Sequence, residues 1–209
     1  MRYRTMLDLH ALALLLWLNA CSQIGYRHMN DPERDVWQQP KAVIEALHIT
    51  PGMHVADLGA GGGYFTFRLA EAVGPDGKVY AVDTDEASLR FIEQEGPRQG
   101  GMPPQVELIL ATPNDSRLPA HDTDLIFMCD TYHHLPDRVA YMRSLARSLS
   151  AHGRIAILDF KEGSWVGALF GHATSNASIR REMEAAGYRL IEEFDFLAKQ
   201  HFQVFASDT

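Results

Sequence analysis

The chain has little of several things that would have fixed its class at once. Its 209 residues include only two cysteines, Cys21 and Cys129. Two isolated thiols give neither a disulfide framework nor the paired spacing of a zinc site, so no metal is expected. Basic residues are outnumbered by acids, 19 against 27, for a net charge of −8. Lysine and arginine form no dense cluster, so a nucleic-acid partner is not expected either. No period of a few tens of residues recurs, which argues against a solenoid. What is present is ordinary globular material, 46% hydrophobic and 22% charged. Its length suits one α/β domain with a full core.

The amino terminus is a different kind of sequence. Arg2 and Arg4 precede the apolar run Ala11 to Leu18, which is followed by Asn19-Ala20-Cys21. The run is shorter than the roughly 20 apolar residues of a membrane-spanning helix. A basic stretch, a short apolar stretch and a small residue before the break form a secretory leader pattern. Leu18-Asn19-Ala20-Cys21 resembles the lipobox of bacterial lipoproteins. That resemblance implies a cell-envelope protein held to the membrane through a lipidated Cys21. The other reading is a hydrophobic amphipathic helix, or an upstream extension that never folds, on a cytoplasmic protein. The expected organisation is a leader over 1–21, a tether and helix over 22–39, and one domain over 40–209. Cys129 lies in the apolar run Leu125-Ile126-Phe127-Met128 and reads as a small core residue.

Asp31-Pro32-Glu33-Arg34-Asp35 predicts a helix start, with a capping side chain, proline and early acids. A second helix is expected over Lys41 to Leu47. From there short apolar runs alternate with amphipathic ones. Strands are expected at His54–Leu58, Lys78–Val82, Gln105–Leu110, Asp124–Cys129 and Ile155–Phe160. Helices are expected at Tyr64–Val73, Glu86–Glu95, Ser178–Ala186, and from Arg138 to Leu149 with His152-Gly153 as its stop. Thr112 to Asp122 reads as a loop. Alternation of this kind predicts an α/β fold, a doubly wound and mostly parallel sheet with helices on both faces. The closing runs Leu190–Phe196 and Phe202–Phe205 have no helix between them and suit an antiparallel hairpin, giving seven strands.

The first strand runs into Asp57-Leu58-Gly59-Ala60-Gly61-Gly62-Gly63, followed by a helix. Glycines let the backbone turn tightly and let a ligand approach without a Cβ in the way. A dinucleotide fingerprint needs G-x-G-x-x-G. Tyr64 occupies the place of its third glycine, which disfavours a nicotinamide-dependent oxidoreductase. Asp83 closes the second strand about 20 residues on, where an acid can accept hydrogen bonds from ribose hydroxyls.

The spacing D-x-G-x-G-x-G resembles that of Rossmann-like S-adenosylmethionine (SAM)-dependent methyltransferases, and it is complete at Asp57, Gly59, Gly61 and Gly63. Leu118-Pro119, Asp124-Leu125-Ile126-Phe127, His133-His134-Leu135 and Gly153-Arg154-Ile155 extend the likeness to the small-molecule, quinone-biosynthesis type, over about Pro40 to Phe205. The resemblance implies SAM as cofactor and a small-molecule methyl acceptor. It places the glycine loop, with Ala60, beneath the methionine part of SAM, and Asp83 with Thr84 at the ribose. Asn114 or Asp115 falls near the adenine. A SAM- or nucleoside-binding envelope protein without turnover is the alternative from another class.

Ligands of open α/β sheets bind outside the carboxyl ends of the strands. The fourth strand ends there in Asp130-Thr131-Tyr132-His133-His134. Asp130, Tyr132 and His133 are therefore expected to face the cofactor or acceptor, with His133 the candidate base near neutral pH. Asp159, at the end of the fifth strand, is a further group for the lining, while Lys161 and Glu162 suit a surface ion pair. Trp165, Phe170 and His172 suggest a short lid.

Overall fold

A computed structural model describes Gly25 and residues 30–162 and 174–208. The leader, Cys21 and the suggested lid residues Trp165, Phe170 and His172 lie outside the described residues. Two short helices open the described chain, α1 (Glu33–Gln38) and α2 (Pro40–Ala46). The regular alternation follows: β1 (His54–Leu58), α3 (Thr66–Val73), β2 (Lys78–Asp83), α4 (Glu86–Glu95), β3 (Val106–Leu110) and β4 (Thr123–Cys129). It continues with α5 (Arg138–Leu145), β5 (Leu149–Phe160), α6 (Asn176–Ala186), β6 (Tyr188–Phe194) and β7 (Gln200–Ser207).

The seven strands form one sheet in the order β3-β2-β1-β4-β5-β7-β6. The pairs β2–β3, β1–β2, β1–β4 and β4–β5 are parallel, whereas β5–β7 and β6–β7 are antiparallel. This is the expected doubly wound sheet with its closing hairpin. Strand order reverses between β1 and β4, so the switch-point crevice opens over the glycine loop and the end of β4.

Period-two alternation sends side chains to opposite faces. Ile126 and Met128 of β4 pack with Met142, Leu145, Ile179 and Met183 of α5 and α6. Leu125 and Phe127 pack on the other face with Val43, Leu69 and Val73 of α2 and α3. Each such side chain is fully buried and contributes about 1.5–3 kcal/mol. A sheet clamped on both faces holds its strand ends in fixed register beneath the crevice.

One expected boundary is corrected. The helix predicted to run to Leu149 ends at Leu145, and β5 begins at Leu149. Thr123 pairs with Leu149 before the β4–β5 register shifts. A Cβ at Gly153 would lie 2.8 Å from Leu149 Cβ and 2.9 Å from Thr123 O. Gly153 therefore serves close strand packing and is not a helix stop. Smaller differences occur elsewhere. Helix α3 starts at Thr66, two residues later than expected, after a turn through Tyr64 and Phe65. The first helix has Pro32 as its N-cap residue, and Asp31 just before it accepts from the Glu33 amide at 2.9 Å. Thr112–Asp122 is the expected loop, pinned by a bridge between Thr112 and Asp115.

Candidate active site

The floor of the crevice is backbone. Gly59, Gly61 and Gly63 all have positive φ, at 81°, 53° and 78°, values that strain any residue with a Cβ. A Cβ at Gly59 would lie 2.2 Å from Thr131 Oγ1, so the loop passes directly against the end of β4. The Gly59 and Ala60 amides both donate to Val82 O, at 2.8 and 3.0 Å, tying the loop to β2. Asp57, 2% exposed, accepts from Thr66 Oγ1 at 2.6 Å and so locks the loop to the start of α3. Burial pushes its carboxyl up to about 6; the Thr66 bond opposes this and the nearby Asp83 charge adds to it.

Asp83 stands at the end of β2. Its Oδ2 accepts from the Gly61 amide at 2.8 Å and from Ser88 Oγ at 3.0 Å, and its Oδ1 from the Asp85 amide at 2.9 Å. The single Ser88 hydroxyl proton is shared between that carboxylate and Gly61 O, 2.5 Å away. A carboxylate offers about four lone-pair positions, so three donors leave acceptor capacity on Oδ1. Thr84 is exposed beside it. In the loop after β3, Asp115 is ion-paired with Arg147 and accepts from the Arg117 amide at 2.9 Å. Asn114 sits exposed at the tip of that turn.

The rim of the crevice is side chain. Asp130 follows β4 with φ 54°, a left-handed conformation uncommon outside glycine. Its Oδ1 accepts from Gln200 Nε2 at 2.7 Å, and its Oδ2 lies 3.6 Å from Arg34 Nη2. Burial pushes its carboxyl up to about 6 against the pull of Arg34 and Gln200, with Asp159 adding to the rise. Gln38, fully buried, donates to Cys129 Sγ at 2.9 Å and to Gln200 Oε1 at 3.1 Å. Cys129 thus lies under a polar cluster as well as beside the core, and burial raises its thiol pKa well above the usual range.

Helix α1 roofs this end. Arg34 lies 4.1 Å from the Tyr64 ring centroid and Arg68 4.2 Å, so two guanidinium groups contact one ring. The Tyr64 hydroxyl donates to Asp35, which Arg68 also engages at 3.0 Å. Asn30 Nδ2 donates to Gly62 O at 2.5 Å. The segment that the sequence groups with a tether is therefore bonded to both the glycine loop and the end of β4.

His133 sits in the 3-10 turn Tyr132–His134. Its amide donates to Asp159 Oδ2 at 3.0 Å, and its Nδ1 lies 2.6 Å from Asp159 Oδ1. Burial opposes the charged ring, but the Asp159 bond and charge win and raise its pKa. Tyr132 faces the other way. It is fully buried in the core beside α5 and α6, and its hydroxyl donates to Glu182 Oε2 at 2.7 Å. Arg138 forks onto the same carboxylate at 2.7 and 2.9 Å. This corrects the expectation that Tyr132 faces the crevice: its ring completes the apolar layer. Lys161 donates to Leu197 O at 2.7 Å, across to the loop before β7.

Gly61 is thus bonded to Asp83, Gly59 lies against Thr131 at the end of β4 beside Asp130, and His133 is bonded to Asp159, whereas Tyr132 is buried in the core and Asp115 is paired with Arg147. Sequence reading missed Ser88, Thr66, Arg34, Gln38 and Gln200. Ser88 had one signal, a polar residue beside Leu89, Phe91 and Ile92 on the buried side of α4. Gln200 had none.

Residues 49–199 match a family described as a methyltransferase domain. The chain belongs to that family. Among curated proteins it is 29% identical over 119 residues to a ubiquinone/menaquinone biosynthesis C-methyltransferase of Shewanella woodyi, covering 57% of this chain and 47% of that protein. The Pasteurella multocida counterpart is 28% identical over 127 residues, 61% of this chain and 46% of that one. The chain spans about half the length of the curated relatives it matches. A SAM-dependent methyltransferase of Aquifex aeolicus superposes with a TM-score of 0.81 at 27% identity, covering 90% of this chain and 98% of that one. The Synechocystis magnesium protoporphyrin IX methyltransferase with bound S-adenosylhomocysteine shares the fold, with a TM-score of 0.65, 17% identity, and coverage of 82% and 83%. The fold is that of the SAM-dependent methyltransferases.

Proposed function

We propose that this protein transfers the methyl group of SAM to a small-molecule acceptor at the crevice between β1 and β4. The observation that carries the reading is the glycine loop held by Asp83. Three positive-φ glycines open a surface without Cβ atoms, and the acid beneath them keeps acceptor capacity for a ribose hydroxyl. Asp57 sets the loop through Thr66, and Gly59, Ala60, Gly61 and Gly63 form the bed. Thr84 flanks the ribose. Asn114, at the exposed turn, suits the adenine edge better than Asp115, whose carboxylate is spent on Arg147. Asp130 faces the cationic end of the cofactor. Bound SAM supplies an electrophilic methyl on a sulfonium with a neutral thioether leaving group. The protein's part is then mainly alignment, with His133 positioned where a proton must leave the acceptor.

The family match favours turnover over a binding module. The acceptor is a small molecule of the quinone-precursor kind, in line with the curated relatives. The basic and apolar leader supports envelope attachment through lipid on Cys21, although among the described residues no helix is long and apolar enough to cross a membrane. The test of function is transfer of labelled methyl from SAM into a small-molecule extract. Label in an organic-soluble product supports it, and no labelled product counts against it. The anchor is tested by labelled palmitate. Incorporation that disappears in Cys21→Ala is expected, and incorporation that persists overturns it.

A further inference from the structure

The end of the sheet opposite the crevice, where β5 begins and β7 closes, carries a cavity of about 510 Å³. Two register breaks shape it. Thr123 pairs with Leu149 and Leu125 with Arg154, so Ser150 to Gly153 bulge out of the β4 ladder. In β6, Leu190 pairs with Phe205 and Glu192 with Val204, which leaves Ile191 as an extra residue. Both bulged segments line the cavity. Bulges re-aim side chains and recur beside functional sites.

Between the bulges runs one row of paired residues: Arg154 on β5, Ala206 on β7 and Arg189 on β6. Directly opposite residues share a sheet face. The two arginines therefore flank a small side chain, about 10 Å apart at Cα across two strand spacings. Arg154 is half-buried, and its Nη2 donates to Leu47 O at 2.9 Å, just after α2. That bond anchors the guanidinium, and its remaining donors have no partner among the described residues. Arg189 is exposed, and its Nε lies 3.9 Å from Asp208 Oδ1, too far for a hydrogen bond. The described residues that line the cavity include no acid, although the chain as a whole carries a net charge of −8. The neighbouring Asp124 is already engaged, accepting from the His54 amide at 2.9 Å and from Ser150 Oγ at 2.7 Å.

A carboxylate matches one guanidinium fork, whereas a phosphate monoester offers three acceptor oxygens and close to two charges, enough for two forks. A bare ion would leave most of the cavity empty. We propose that this cavity is a second ligand site, which binds a small organic phosphate between Arg154 and Arg189. Along β5, Arg154 lies about 16 Å from Asp159 at the carboxyl end of the strand, at about 3.3 Å per residue. The site is therefore separate from the glycine loop, and it stands independently of the methyl-transfer reading.

Calorimetric titration of the full chain with glycerol 3-phosphate, in excess S-adenosylhomocysteine and at constant ionic strength, reads the site. Saturable binding is expected, weakened roughly 10-fold or more in Arg189→Gln. Arg189 is exposed, so this variant is expected to keep the parent's unfolding midpoint. Arg154→Gln is expected to weaken binding at least as much, and Arg189→Gln alone decides if that chain does not fold. Amide signals of residues 150–154 and 189–191 are expected to shift on binding, and those of residues 59–63 to stay in place. Absence of saturable binding to the parent overturns the proposal, as does unchanged affinity in Arg189→Gln. Equal affinity for succinate overturns the phosphate assignment, and shifts confined to residues 59–63 overturn the location.

Discussion

Gly61 reaches Asp83 through a backbone N–H, whereas Asp130 is held by Arg34 and Gln200, side chains from opposite ends of the chain. The two halves of the crevice differ in this way throughout. On the β1–β2 side, glycine conformation and amide donors shape the floor, and the partners lie within one βαβ unit. On the β4–β5–β7 side, side chains drawn from α1, β5 and β7 shape the rim. A backbone-built floor fits a constant cofactor. A side-chain-built rim can be altered one residue at a time.

The comparison breaks most sharply at Gly59. Gly59→Val adds a Cβ 2.2 Å from Thr131 Oγ1 at φ 81°. Strain of about 1–3 kcal/mol from the backbone alone, with the clash added, is expected to abolish SAM binding and lower the unfolding midpoint. A variant that binds SAM normally would contradict the floor. Asp83→Ala removes charge-assisted bonds each worth about 1.5–3 kcal/mol. SAM affinity by calorimetry is expected to drop roughly 10–100-fold.

The buried Asp57 gives a pH test. Its proton is held to about pH 6 in the folded chain, against 3.8 for the ordinary group. The folded state therefore binds more protons in that window, and stability falls as pH rises through it. Asp57→Asn is expected to be more stable than the parent above about pH 6, by up to about 3 kcal/mol. The gap should close below about pH 4, near the ordinary 3.8. Denaturant unfolding at a series of pH values reads it, and a gap independent of pH contradicts the assignment.

On the rim, Gln38→Leu removes the donors to Gln200 Oε1 and Cys129 Sγ and is expected to cost about 1–3 kcal/mol of stability. SAM affinity should change less than in Asp83→Ala. The smallest effect is at Tyr132. Removing the hydroxyl in Tyr132→Phe loses one bond to Glu182, about 1 kcal/mol, with methyl transfer nearly unchanged. A large loss of rate with unchanged stability would return Tyr132 to the crevice.

The same division explains what could be read in the sequence. Asp57, Gly59, Gly61, Gly63 and Asp83 were legible because local spacing dictates their geometry: strand, turn and helix start follow one another in the chain. The closing hairpin was legible for the same reason. Gln38 and Gln200 meet across 162 residues, and no spacing rule links them. His133 was legible as a polar residue at a strand end, but its orientation depends on Asp159, 26 residues away. Tyr132 misled because residues 130 to 134 form a tight turn, which sends neighbouring side chains in different directions. Leu149 misled because an apolar residue that ends a helix pattern can equally start a strand, and only pairing with Thr123 decides it.

The central claim is that the glycine loop and Asp83 form a SAM floor and not a dinucleotide site. Calorimetric titration of the full chain with SAM and with NAD tests it most directly. Binding of SAM, lost or strongly weakened in Asp83→Ala, with no binding of NAD, is the predicted result. Binding of NAD without SAM would contradict the account.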